Sequence, residues 1–165
     1  GRSRKPQMAL AAELGVTEYA TPAGGCLLTD PGFAHRLGQL MKQKDPTPTD
    51  VHLLKVGRHF RLGGGAWVVV GRHEADNARL ADLAEPGDVR IEPADVPGPT
   101  TIVRGTDDDG AIAEAAAVTL RYTKVPPGEV RPLTVQPVGG EARTVEAAPA
   151  EEAFCRTHLV TREES

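Results

Sequence analysis

Residues 51–83, VHLLKVGRHFRLGGGAWVVVGRHEADNARLADL, decide the fold. Up to Val70 the apolar positions alternate, and beyond it they fall three and four residues apart. Alternation marks a half-buried strand and the longer spacing a helix. The reading is therefore strands over 51–56, 59–62 and 66–70, with Gly63-Gly64-Gly65 as the hairpin turn that needs positive φ angles. A helix over 74–84 follows, burying Leu80 and Leu83 and closed by Pro86-Gly87.

Charge singles out the same stretch. Between Val51 and Arg72 the cations are Lys55, Arg58, Arg61 and Arg72, with His52 and His59 beside them and no Asp or Glu. Yet the 165-residue chain has a formal net charge of −4. Residues 1–72 hold ten Lys or Arg against five acids, and residues 73–165 hold nine against eighteen. Clustered cations attract nucleic-acid phosphates and gain affinity by releasing counterions. Alternation, however, puts Arg58 with Phe60 on one strand face and His59 with Arg61 on the other, so one surface cannot use every cation. Each arginine equally suits a solvated strand position or an ion pair with the acidic half. Phe60 and Trp67 read as core. His73, just before a helix start, is a further phosphate-binding candidate through that helix N-terminus.

Outward from the hairpin, Ser3 caps a helix carrying Met8, Leu10, Ala11 and Leu14 and stopping at Gly15. A second helix covers 33–44, and Asp45-Pro46-Thr47-Pro48-Thr49-Asp50 reads as a linker. On the C-terminal side, strands are expected over 88–92 and 100–104, a helix over 110–124, and one strand over 130–138 before a polar tail. Thr106-Asp107-Asp108-Asp109-Gly110 lacks the spaced ligands of a calcium loop and instead caps the helix that follows. No metal site is expected, since Cys26 and Cys155 are too few for zinc or iron–sulfur ligation without other ligands. No apolar run approaches the roughly 18 residues of a membrane span and no signal-peptide pattern opens the chain, so a cytoplasmic location is expected. The start at Gly1, within a helix entry, suggests a piece of something longer. The fold class expected is α+β: a small mixed or antiparallel sheet with two or three packed helices, preceded by a helical appendage.

Cys26 follows Gly24-Gly25, which leaves backbone room for a partner, and precedes a helix whose positive end would lower a thiol pKa. Next to Leu27 and Leu28 it is equally a small buried apolar residue.

KVGRHFRLGGGAWVVVGRHEADNARLADL, PGDVRIEPADVPGPTTIVRG and AIAEAAAVTLRYTK together resemble the RNA-binding domain of the NFACT proteins. A basic-aromatic strand, a glycine turn, a G-R pair and an Asn-containing helix carry the likeness at Arg58, Phe60, Arg61, Gly64, Gly71, Arg72 and Asn77. IEPADVPGPT departs from it, lacking the family's aromatic and His-containing segment. A divergent form of this domain ends the PP-loop tRNA thiouridylases, and residues 1–37 resemble the end of their catalytic part. That resemblance implies three segments: a catalytic-domain tail over 1–45, an RNA-binding domain over 50–125, and a strand with polar tail over 126–165. It implies tRNA as partner, with a sulfur-donor protein. Cys26 in AGGCLLTD would carry a persulfide or resolve a disulfide. The S-G-G-x-D-S loop is absent from these residues, so ATP and Mg would bind in a part preceding Gly1. The expected function is tRNA binding, through Lys55, Arg58, Arg61, Arg72 and His73, within an ATP-dependent thiolation enzyme. The alternatives are a non-enzymatic NFACT-type RNA- or ribosome-binding module and a protein-interaction domain docking through its acidic half.

Overall fold

A computed structural model describes residues 31–160. Of these, residues 31–55 and Val160 fall in one compact unit and residues 56–159 in another. The expected helix after Ser3 lies outside the described residues.

The first unit holds helices α1 (Pro31–Met41) and α2 (Pro48–Leu54), which contact each other. Phe33, Leu37 and Leu40, spaced i, i+4, i+7, are the buried stripe of α1, and Arg36 Nε donates to the Leu54 carbonyl at 2.6 Å. The α2 helix corrects two expectations, the strand over 51–56 and the linker before it. The Thr47 hydroxyl accepts from the Asp50 amide at 3.2 Å while the Asp50 carboxylate accepts from the Thr47 amide at 2.8 Å. This capping box, with Pro48 in the first turn, starts a helix where the prolines suggested a break. Val51 and Leu54 stand three apart and are both buried, so the apolar run fits either period.

The second unit is a six-stranded, wholly antiparallel sheet. Its strands are β1 (Arg58–Arg61), β2 (Trp67–Val70), β3 (Val89–Pro93), β4 (Thr101–Arg104), β5 (Arg131–Pro137) and β6 (Arg143–Ala147), in the order β1-β2-β4-β3-β5-β6. The β1–β2 hairpin turns on Gly63–Gly65, where Gly64 and Gly65 have φ of 73° and 81°. Three helices accompany the sheet: α3 (Glu74–Leu83), α4 (Asp109–Arg121) and α5 (Glu152–His158). Among the described residues no helix is long and apolar enough to cross a membrane.

Register assigns the sheet faces. Phe60 opposes Val68, Val68 opposes Val103, and Val103 opposes Val89, so these side chains share a face. Ile91, Leu133 and Val135 extend it. That face forms one core with Ala111, Ile112, Ala115, Ala116 and Leu120 of α4, whose alanines suit close approach to β3, β4 and β6. Asp108 caps α4 through the Gly110 and Ala111 amides, as the acidic run suggested. A buried bidentate pair ties α3's end to the sheet. Arg104 Nε and Nη2 reach Asp88 at 2.9 and 2.6 Å, and Nη2 also donates to the Leu83 carbonyl at 3.2 Å. Residues 143–158, where the sequence offers no clear period, supply β6 and α5.

Candidate nucleic-acid interface

The segment Gly71-Arg72-His73-Glu74-Ala75-Asp76-Asn77 turns the chain from β2 into α3, and most of its polar groups are consumed in doing so. The Asp76 carboxylate accepts from the Arg72 amide at 3.0 Å and from Arg72 Nε at 2.7 Å. Burial alone would raise the Asp76 carboxyl, but the Arg72 bonds outweigh it and hold it below the ordinary range. His73 is the helix N-cap, its Nδ1 accepting from the Asp76 amide at 3.3 Å. Glu74 and Asp76 thus place two carboxylates in the first turn, where a phosphate was expected. Asn77 Oδ1 accepts from the Thr100 amide at 3.0 Å, and the Gly71 amide donates to the Thr100 carbonyl at 2.9 Å. Arg72 keeps 46% of its side chain exposed, but its charge is matched.

Arg58 and Arg61 lie on opposite faces of β1, as the alternation implied. Lys55 is the C-terminal cap of α2, in the first unit. Arg61 is half-buried opposite Trp67, on the face away from Phe60. That face also holds His59, which is buried between two partners. Trp67 Nε1 donates to His59 Nδ1 at 2.9 Å, so the other ring nitrogen carries the proton and donates to the Val56 carbonyl at 2.8 Å. Cys26 lies outside the described residues.

Arg58 sits on the Phe60 face, and there the structure assembles a group the hairpin alone did not reveal. Its guanidinium carbon lies 4.4 Å from the centroid of the Tyr122 ring, and the Phe60 ring is 6.3 Å from that same ring. Tyr122 ends α4 directly after Arg121, and exposed Lys124 follows two residues on. Burial, and then the Cys155 thiol, push the Tyr122 hydroxyl above its usual range, while Arg58 and Arg121 pull against them. Burial likewise raises the Cys155 thiol, with Arg121 opposing. Helix α5, which contributes Cys155, packs against β1 and adds Phe154, its ring 4.2 Å from that of His158.

Arg58 and Arg121 meet no carboxylate among the described residues. By contrast Arg72, Arg90, Arg104, Arg131, Arg143 and Arg156 are each ion-paired. The signal in the sequence was the interleaved Arg121-Tyr122-Thr123-Lys124 at a helix end. It was hidden because cations there suit the helix dipole and Tyr122 fits the apolar spacing of α4.

An antiparallel sheet with one face closed by an alanine-rich helix, and a cation-aromatic corner where β1, α4 and α5 meet, make this an α+β domain. Residues 57–158 match the family described as NFACT protein RNA binding domain, and the chain belongs to that family. Among solved structures it is similar to the C-terminal part of the fibronectin/fibrinogen-binding protein from Streptococcus suis. The TM-score is 0.55 at 14% identity, over 96% of this chain and 92% of that one, a likeness of fold. No curated protein matches the chain.

Proposed function

We propose that this chain is an RNA-binding module. The observation that carries the reading is that the family match spans 57–158, the whole sheet with α3, α4 and α5. The arginines left without carboxylates at the β1–α4 corner supply the electrostatics such binding needs. Binding is tested by filter retention of labelled tRNA across a salt series. Affinity is expected to fall steadily as salt rises; absent or salt-insensitive retention would remove the reading.

The finer assignment is tRNA held for an ATP-dependent thiolation, in the cytoplasm, with a sulfur-donor protein as second partner. It is supported by the resemblance of residues 1–37 and by Cys26 in its Gly-Gly-Cys setting. Cys26→Ser in the parent protein is expected to abolish thiolated tRNA while leaving tRNA retention by this chain unchanged; undiminished thiolation takes Cys26 out of the chemistry.

A further inference from the structure

We propose that the corner formed by Arg58, Arg121, Tyr122 and Lys124 is where RNA docks, and that it takes an unpaired strand. One base would lie on the side of the Arg58 guanidinium turned away from Tyr122, and the flanking phosphates on Arg121 and Lys124. This rests on the RNA-binding reading above and adds both the site and the state of the RNA.

Three observations converge. Arg58 is held over the Tyr122 ring at 4.4 Å, and that ring is itself backed by Phe60 at 6.3 Å, so the guanidinium is positioned before any ligand arrives. A flat cation offers a stacking face for a base and edge donors for phosphate. Second, the cations come from separate elements. The α4 dipole accounts for Arg121 and Lys124 at that helix's end, but not for Arg58, brought to the same ring from β1. Third, six arginines of this unit are spent on carboxylates, whereas Arg58 and Arg121, which both act on the Tyr122 hydroxyl, are not. Exposed Arg79 of α3 also meets no carboxylate among the described residues but is no part of this group.

A compact patch favours a single strand. Shape-based recognition of duplex RNA spans about 16 base pairs and needs phosphate contacts spread along it. In a duplex both faces of each base are covered by its neighbours, and only an unpaired base has a face free to meet a guanidinium plane.

The test is fluorescence anisotropy of the chain with a labelled unstructured oligouridylate and with a blunt RNA duplex of equal length. The wild type is expected to prefer the single strand. Arg58→Lys keeps the charge but loses the plane, and is expected to weaken oligouridylate binding about tenfold. Arg121→Gln with Lys124→Gln is expected to reduce the slope of log affinity against log salt by about 1.4. Thermal unfolding of each variant checks that it folds; if Arg58→Lys does not, the surface pair still reads the site. Wild-type binding with both variants unaffected would overturn the site while leaving the RNA reading in place. Preference for the duplex would overturn the unpaired-strand assignment, and no binding of either RNA would overturn the RNA reading itself.

Discussion

Gly71 and Asn77 show how a motif that looks like a contact surface is used up by the fold. A Cβ on Gly71 would stand 2.0 Å from Asn77 Oδ1, the atom that accepts from the Thr100 amide at 3.0 Å. Thr100 is buried, so losing that bond strands an amide without water. Gly71→Ala is therefore expected to cost about 1–3 kcal/mol in urea unfolding, and Asn77→Ala a similar amount. Because both remove one interaction, the double variant should cost clearly less than the two together. Additive losses would show that the glycine is needed for some other reason. The glycine, the asparagine and the helix start were all legible in the sequence. The role of Arg72 was not, because a cation in an acid-free run looks unmatched until the chain turns and brings Asp76 to 2.7 Å. Residues four apart meet only once a helix has formed. Lys55, Arg61 and His73 likewise have visible charge or ring chemistry, but where they end up depends on elements read separately.

Among the elements, those with a sustained period were legible. The β1–β2 hairpin, α3, β3, β4, α4 and β5 all form close to where periodicity and glycine placement put them. The misreadings occur where the pattern is short. Over 51–56 a six-residue apolar run fits both periods, and the deciding information lay upstream in Thr47 and Asp50 as a capping box. In β6 the burial alternates weakly, because it is an edge strand whose outward positions are exposed and polar. Helix α5 has seven residues and only Cys155 fully buried, too little for an apolar stripe to stand out. Helix α5 matters for the candidate site, since it packs beside β1 and contributes the thiol that acts on Tyr122. Without it Tyr122 reads as one more apolar position on α4, and the corner has no third wall.

For the molecule as a whole, charge summed over halves of the sequence is a poor guide to charge on the surface. Eight acids of the C-terminal half sit on arginines: Asp76 on Arg72, Glu92 on Arg90, Glu85 and Asp88 on Arg104, Glu129 and Asp95 on Arg131, Asp109 on Arg143 and Glu152 on Arg156. What distinguishes a cation is the lack of such a partner, which only tertiary structure reveals. The same holds for residues 126–165, whose β5 and β6 complete the sheet. β5 pairs with β3 along Val89–Pro93 and places Leu133 and Val135, both 0% exposed, in the core shared with α4. A chain ending at Val125 would expose the inner edge of β3 and lose two fully buried side chains, each worth about 1.5–3 kcal/mol of burial. Against a typical domain stability of about 5–15 kcal/mol, losing those side chains together with a full strand ladder is decisive. The truncated chain is expected to show no cooperative thermal transition by circular dichroism and to lose RNA retention with it. If it instead melts cooperatively at the wild-type temperature, then β1 to β4 with α4 fold without the last two strands, and the sheet is not the single cooperative body that its shared core implies.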